Sequence, residues 1–155
     1  MKIHLIKNSF SLYLDRDGVI NVKLEERYVR NSNEFEFMQG ALVAISKLSK
    51  LFKRILIVTN QQGIGKGIMT EDDLNLLHSF MTSEIGKLNG KIDKIYFCPH
   101  LDTENCNCRK PNPGMINQAI ADFPEIDRQN SYLIGDSDSD IEAGNRMNLN
   151  TVKVD

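Results

Sequence analysis

The sequence alternates short apolar runs with segments of helical periodicity, and this alternation restricts the possible folds more than any other feature. Five runs have the length of a β-strand. The first four lack the alternating polar residues of a half-solvated sheet, so we expect them to be buried on both faces. The five runs span residues 11–14, 55–58, 95–97, 132–134 and 152–154.

Four segments between these runs carry helical signals. Apolar residues recur three or four positions apart, or residues that favour helix N-termini open the segment. Strands and helices in alternation predict right-handed crossovers, and therefore an α/β fold with a doubly wound, parallel, five-stranded sheet. The predicted helices begin near Ala41, at Thr70, at Asn112–Pro113, and at Asp138 or Ser139.

Length and charge restrict the class of protein. At 155 residues the chain has the length of one domain, so we expect a single domain over residues 1–155. The formal net charge of −2 provides no basic field for nucleic acid, which is therefore not an expected partner. No apolar run approaches the ~18 residues of a membrane span, and the N-terminus does not resemble a signal peptide. We expect a cytoplasmic protein that does not bind membranes and is a monomer.

Polar and acidic side chains follow directly on three of the predicted strands. The carboxyl ends of parallel strands meet at one edge of the sheet, where open α/β folds bind their ligands. A lysine in the loop after the third strand can reach the same edge. The candidates for a functional site are therefore Asp15, Asp17, Thr59, Asn60, Lys110 and Asp136.

Two carboxylates as close as those of Asp15 and Asp17 repel each other in the absence of a positive charge. A hard divalent cation bound by oxygen ligands is the usual remedy, and Mg²⁺ fits such a site best. For residues 15–18 alone, a simple turn is the alternative, because Asp and Gly both favour turns. The companion residues at the same edge favour the metal site.

A second metal site is indicated by three cysteines and a histidine that fall within eleven residues. They supply three thiolates and one imidazole, a complete tetrahedral donor set for zinc with no open position, as structural sites have. In a reducing compartment such clustering indicates a metal rather than a disulfide. The alternative is three free thiols beside a solvated histidine. The predicted zinc loop covers about 98–108, with Cys98, His100, Cys106 and Cys108 as ligands.

Four motifs, in this order, resemble those of the haloacid dehalogenase superfamily of phosphohydrolases. They are Asp-Arg-Asp-Gly at 15–18, Thr59, Lys110, and Gly-Asp-Ser-Asp-Ser-Asp at 135–140. The resemblance spans nearly the whole chain. It implies a phosphatase with the strand order 3-2-1-4-5 and no cap domain, since no stretch of this chain is long enough for one.

The resemblance also implies a role for each acidic residue. Asp15 would attack phosphorus in line to give an aspartyl-phosphate, and Asp17 would act as general acid and then general base. The pKa of Asp17 should therefore lie above that of Asp15. Mg²⁺ would be bound by the side chains of Asp15 and Asp136 and by the backbone carbonyl of Asp17.

The remaining phosphate oxygens would be held by Thr59, as a donor, and by Lys110, as a point charge. Asp140 would orient Lys110 rather than bind the metal. Arg109 and Lys110 follow directly on Cys108. Zinc would therefore fix the loop that aims both basic side chains at the phosphate. Taken alone, Lys110 could equally be a solvated surface lysine.

The zinc segment narrows the resemblance to two branches of the superfamily. Tyr-Phe-Cys-Pro-His at 96–100, followed by Cys-Asn-Cys-Arg-Lys-Pro at 106–111, resembles the D-glycero-D-manno-heptose 1,7-bisphosphate 7-phosphatases and the histidinol-phosphatases. The short spacer at 101–105 and the Asn-Ser-Tyr at 130–132 are closer to the histidinol branch. The stretches that favour the heptose branch are residues 28–29, 35–37, 60–67 and 108–115.

Substrate contacts are expected from the glycine-rich loop after the second strand and from the zinc loop. The heptose branch has Asn-Gln-Ser-Gly-Ile-Ala-Arg-Gly where this chain has Gln62, Gly65 and Lys66 in place of Ser, Ala and Arg. Loss of the planar guanidinium at 66 removes bidentate recognition of a phosphate or a hydroxyl pair. The expected substrate contacts are Asn60, Gln61, Gln62, Lys66, Arg109 and Lys110.

We therefore expect a small phosphorylated metabolite as the partner, a sugar phosphate first and histidinol phosphate as the alternative. A histidinol site must accept an ammonium group, for which Glu25, Glu26 and Glu34 are the candidates. A catalytically inactive, zinc-stabilised binding module is the alternative from another class. The presence of both catalytic carboxylates, the lysine and the metal aspartate argues against it.

Overall fold

The structure is a computed structural model and describes residues 10–155. The N-terminal segment that we predicted not to be a signal peptide begins outside this range. Five strands form one sheet: β1 (Ser11–Leu14), β2 (Arg54–Asn60), β3 (Lys94–Cys98), β4 (Tyr132–Gly135) and β5 (Asn150–Lys153). All neighbours are parallel and the order is β3-β2-β1-β4-β5, which confirms the predicted fold.

Five α-helices connect or follow the strands within residues 10–155. The predicted helices are all present, with ends that differ by a few residues from the sequence pattern. A fifth, single-turn helix lies within the glycine-rich loop, where we had predicted no regular structure. The helices are α1 (Ala41–Leu48), α2 (Gln62–Gly65), α3 (Glu71–Lys87), α4 (Gly114–Asp122) and α5 (Asp138–Arg146).

Two of the helices begin with capping boxes. Thr70 caps α3 as predicted: its hydroxyl accepts a hydrogen bond from the Asp73 backbone, and the Asp73 carboxylate accepts one from Thr70 N–H. Helix α5 begins at Asp138, as predicted, but the residue that caps it lies one position earlier. Ser137 is the N-cap because Asp140, at the third helical position, completes the box with it.

The helices cover both faces of the sheet, and successive strand residues point to opposite layers. On one face Tyr13, Leu56 and Val58 pack with residues of α4 and α5. On the other face Leu12, Leu14, Ile55 and Ile57 pack with residues of α1 and α3. The sheet is therefore doubly wound, and β1 and β2 are buried on both faces as predicted.

In β4 the face formed by Tyr132 and Ile134 is only half-buried, and burial on both faces is also incomplete for β3, where Tyr96 is buried but Ile95 and Phe97 are half-buried. The reason is topological: β3 lies at the edge of the sheet, and only β2 pairs with it. Within residues 10–155 there is no helix with the length and apolar character needed to span a bilayer.

Adjacent leucines on α3 allow a test of the packing. Leu77 is 1 % exposed in the core and Leu76 is 73 % exposed to solvent. Leu77→Ala should lower the free energy of unfolding by about 2–5 kcal/mol, because it leaves a cavity. Leu76→Ala should change it by less than about 0.5 kcal/mol. Urea denaturation measures both, and equal losses would contradict the orientation of α3.

Candidate active site

The turn after β1 carries Asp15 and Asp17 to the carboxyl edge of the sheet. The backbone N–H of Asp15 donates to the carbonyl of Ile134, so β4 holds the turn in place. Gly18 has a φ of +88°, and a Cβ there would lie 2.2 Å from Asp136 Oδ2. Glycine is therefore required, both by the left-handed backbone and by the close approach of Asp136.

Lys110 is buried at the centre of the site. Its ammonium lies 3.0 Å from Asp15 Oδ1, donates to the Val58 carbonyl at 2.7 Å and forms an ion pair with Asp140. Burial alone would lower the pKa of Lys110, but the carboxylates of Asp15 and Asp140 together raise it. All three N–H bonds of the ammonium have protein partners. Lys110 is thus placed to act through its charge, as a fixed cation beside Asp15.

Two further residues fix the lysine. Asn60 exchanges hydrogen bonds with the backbone of Lys110, accepting from its N–H at 3.0 Å and donating to its carbonyl at 3.2 Å. Asp140 uses one oxygen for the lysine and the other for the backbone and hydroxyl of Ser137. Because both oxygens of Asp140 are engaged, this geometry matches its predicted part in orienting Lys110.

Asp17 is surrounded by hydrogen-bond donors. Its Oδ1 accepts from Arg16 at 2.8 Å and from Asn21 at 3.0 Å, and its Oδ2 accepts from Gln61 at 2.9 Å. Burial would raise the pKa of Asp17, but the Arg16 guanidinium and these hydrogen bonds outweigh it and lower the pKa.

For Asp15, the effect of burial on the pKa outweighs that of the neighbouring positive charge. Its burial raises the pKa to about 7 despite the neighbouring Lys110. The predicted order, with Asp17 above Asp15, is therefore wrong for the protein without a cation. The sequence does not show that Asp17 has three donors around it while Asp15 is enclosed in the protein interior.

Asp136 completes an acidic cluster. Carboxylate oxygens of Asp15, Asp136 and Asp140 lie within 4.8 Å of one another. Asp136 Oδ1 is buried and has no hydrogen-bond partner among residues 10–155, while Oδ2 accepts from Lys23 at 3.2 Å. A buried carboxylate oxygen without a donor is costly unless a cation or water meets it. The donor set therefore fits a hard divalent cation.

These groups open into one cavity of about 240 Å³. Of the residues predicted as site residues, Asp15, Asp17, Asn60, Gln62, Arg109, Lys110 and Asp136 line it. Three others do not. Thr59 and Gln61 are buried behind Asp17, with the Gln61 amide 2.9 Å from the Thr59 hydroxyl. Lys66 lies over the ring of Tyr28 instead, 5.5 Å from its centroid.

The segment between β1 and α1 supplies cavity residues that sequence analysis did not identify. Lys23, Leu24, Arg27 and Tyr28 line the same cavity, and Gln62 donates to the Tyr28 hydroxyl at 3.2 Å. Residues 28–29 carried part of the family resemblance, but nothing in the pattern indicated that Lys23 and Arg27 face the site. The other lining residues are Ser137, Ser139 and Asp140.

The cysteine and histidine cluster lies in the loop after β3. Donor atoms of Cys98, His100, Cys106 and Cys108 lie within 4.8 Å of one another, and all three cysteines are free. Four soft donors that converge without a disulfide fit a tetrahedral zinc ion. The loop is also tied to the glycine-rich loop, since the Asp102 N–H donates to Gln62 Oε1 at 2.7 Å.

Comparison with known proteins identifies the family. A family model described as HAD-hydrolase-like matches residues 107–155. The D-glycero-alpha-D-manno-heptose-1,7-bisphosphate 7-phosphatase of Campylobacter jejuni is 42% identical over 146 residues, which cover 92% of this chain and 80% of that protein. The chain belongs to the haloacid dehalogenase superfamily of phosphohydrolases. The recognised motifs are thus those of a phosphatase.

Two further comparisons extend the assignment. The D-glycero-beta-D-manno-heptose-1,7-bisphosphate 7-phosphatase of Helicobacter pylori is 39% identical over 135 residues, covering 86% of this chain and 76% of that protein. The crystal structure of D,D-heptose 1,7-bisphosphate phosphatase from B. bronchiseptica, complexed with magnesium and phosphate, superposes with a TM-score of 0.86 at 30% identity. It covers 91% of this phosphatase and 78% of its own chain.

The close approach of Gly18 to Asp136 predicts a local effect on phosphatase activity. Gly18→Ala should lower kcat/KM for 4-nitrophenyl phosphate at least about tenfold, because the new methyl group displaces Asp136 and the left-handed backbone costs about 1–2 kcal/mol. Gly40→Ala is the matched control: φ is +82° there, and nothing lies within 4 Å of the added carbon. It should destabilise the protein without lowering kcat/KM. Equal losses of activity would show that the contact with Asp136 is unimportant.

Proposed function

We propose that the protein is a magnesium-dependent sugar phosphatase that removes one phosphate from D-glycero-D-manno-heptose 1,7-bisphosphate. The observation that carries the proposal is the convergence of Asp15, Lys110 and Asp136 on one cavity. The similarity to phosphatases named for this substrate supports the choice of sugar.

The proposed Mg²⁺ site uses the side chains of Asp15 and Asp136 and the backbone carbonyl of Asp17. The buried, unpartnered Oδ1 of Asp136 supports this assignment, because a cation would satisfy it. When bound, Mg²⁺ neutralises charge on the transferring phosphate and favours the ionised form of Asp15.

In the first step, Asp15 attacks phosphorus. Its Oδ1 is held by Lys110, which leaves Oδ2 as the attacking oxygen. The new bond joins Asp15 to phosphorus as the bond between phosphorus and the sugar oxygen breaks. Asp17 gives its proton to that oxygen, so that the sugar leaves as an alcohol. A bound phosphate dianion favours the protonated form of Asp17, which supplies the proton needed here.

In the second step, water attacks the aspartyl-phosphate. Asp17, now ionised, takes a proton from the water, and the bond between Asp15 and phosphorus breaks to release phosphate. Lys110 supplies a fixed positive charge beside the reacting carboxylate in both steps. Splitting the displacement in two lets the same carboxylate at position 17 serve as acid and then as base.

The charges around the cavity favour a second anionic group on the substrate. Besides Lys110, the cavity is lined by Lys23, Arg27 and Arg109. Arg109 Nε pairs with Asp102 at 3.4 Å, whereas its Nη1 is buried without a hydrogen-bond partner among residues 10–155, so an anionic oxygen would satisfy it. A bisphosphate places its second phosphate among these cations.

The same charges disfavour histidinol phosphate. None of the three glutamates that could neutralise its ammonium lines the active cavity. Glu26 and Glu34 lie instead around a neighbouring depression, where Arg30 pairs with Glu34. The proposed substrate therefore remains a sugar bisphosphate.

A panel of phosphate esters tests this function. With Mg²⁺ present, kcat/KM for heptose 1,7-bisphosphate should exceed that for histidinol phosphate and for simple sugar monophosphates at least about tenfold. Phosphate release measures the rates, and both anomers of the heptose belong in the panel. Asp15→Asn, which keeps the side-chain volume, should abolish release. Residual activity in that variant would contradict the covalent mechanism, and a preference for another ester would overturn the substrate.

We propose that Cys98, His100, Cys106 and Cys108 bind a structural zinc ion that holds the loop preceding Lys110. Cys106→Ser should lower the zinc content and the melting temperature, because a structural site needs all four ligands. Asn107→Ser, in the same loop, keeps the four donors and should retain zinc. Metal analysis of both variants gives the comparison, and full zinc occupancy in Cys106→Ser would refute this ligand set.

A further inference from the structure

Arg16 lies between the two aspartates in sequence, but its side chain points away from the cavity. It is fully buried and does not line the active cavity. Its Nη2 donates to Asp17 Oδ1 at 2.8 Å, and its Nη1 contacts His78 Nε2 at 3.1 Å. Its Nε has no partner among residues 10–155. Within the described part of the chain, the guanidinium is therefore held by two side-chain partners, His78 and Asp17.

His78 belongs to α3 and is itself buried. Because arginine can only donate, Nε2 of His78 must be the acceptor and Nδ1 carries the proton. Burial and the adjacent guanidinium lower the pKa of His78 to about 3, which agrees with a neutral ring. The imidazole lines a separate depression with Thr82 and Phe97, so it does not contact a substrate in the active cavity.

The Arg16 contact completes the positioning of Asp17. Asn21 donates to the same oxygen as Arg16, and Gln61 donates to the other. A group that transfers a proton must be held to a fraction of an ångström, and such precision comes from neighbours that are themselves fixed. Asn21 lies in an isolated β-bridge and Gln61 directly precedes the single-turn helix α2, whereas His78 anchors Arg16 to a long helix.

We infer that Arg16 and His78 are positioning residues for proton transfer: His78 orients the guanidinium of Arg16, which in turn holds the carboxylate of Asp17 towards the leaving oxygen. The inference rests on the proposed function, in which Asp17 is the general acid. It adds a buried residue of α3, outside the cavity, to the groups on which that step depends.

A comparison of two leaving groups distinguishes this positioning role from a general loss of stability. An alkoxide needs protonation as it leaves, whereas 4-nitrophenolate, from a far more acidic alcohol, leaves without it. The value of kcat/KM includes this first step for both esters. If Asp17 is misplaced, kcat/KM for the heptose bisphosphate should therefore fall, while kcat/KM for 4-nitrophenyl phosphate should stay nearly unchanged.

The test compares these two esters in variants of His78. In His78→Leu, kcat/KM for heptose 1,7-bisphosphate should fall at least about tenfold relative to 4-nitrophenyl phosphate, and by no more than the about 10²–10⁴ that general acid catalysis contributes in full. His78→Gln retains an oxygen that accepts from Arg16 and should restore the wild-type ratio. Leu77→Ala is the control for loss of packing in α3, and it should leave the ratio unchanged.

Two more variants, Arg16→Lys and Asp17→Asn, complete the test. Arg16→Lys keeps a cation beside Asp17 but cannot bridge to His78, so it should shift the ratio in the same direction, even if His78→Leu does not fold. Asp17→Asn gives the ratio for complete loss of the acid. If Asp17→Asn lowers kcat/KM for both esters equally, the proposed role of Asp17 as general acid is wrong. If Asp17→Asn is selective while His78→Leu and Arg16→Lys are not, or if His78→Gln is as impaired as His78→Leu, the inference is overturned.

Discussion

The ammonium group of Lys110 is the point on which the architecture of the site depends. A buried charge costs several kcal/mol unless it is paired and fully hydrogen-bonded. Here it has an oxygen from each of three elements: Asp15 after β1, Val58 in β2 and Asp140 in α5. Its backbone is in turn held by Asn60 at the end of β2. The ion pair can form only when the loop after β3 is correctly seated against the sheet.

This arrangement explains why the pKa values of the two catalytic carboxylates are shifted in opposite directions. Asp15 shares its cation with Asp140 and is enclosed by the protein, so burial dominates its pKa. Asp17 stands two residues further along the turn, where side-chain donors reach both its oxygens. The same short motif therefore places one carboxylate on a buried charge and the other within a hydrogen-bond network. A cation bound by Asp15 and Asp136 would add to the first environment.

Much of this architecture is visible in the sequence, because it follows from periodicity and from the ends of elements. Asp15, Asp17 and Asp136 could be assigned to one edge since strand ends of a parallel sheet converge there. The capping residue of α5 could not be assigned, because three polar residues in succession compete and only the geometry of Asp140 decides. The positions of Gln61 and Lys66 depend on where the loop after β2 turns, which no periodic pattern records. Lys23 and Arg27 lie in an irregular segment whose path is set by contacts distant in sequence.

That irregular segment has a consequence for how such a protein can change during evolution. The attacking carboxylate and the proposed metal aspartate directly follow β1 and β4, and Lys110 is itself buried. Lys23 and Arg27 are instead carried by the part of the chain after Asp17 and before α1, which contributes a wall of the cavity without supplying the attacking carboxylate or its lysine. Lys23 is paired with Asp136, but substitutions of Leu24, Arg27 or Tyr28 in this wall can alter which ester is accepted while the reacting groups stay in place. The preferred substrate can therefore change during evolution while the catalysed reaction stays the same. After a gene duplication, one copy could come to hydrolyse a different phosphate ester through changes to one segment of the chain.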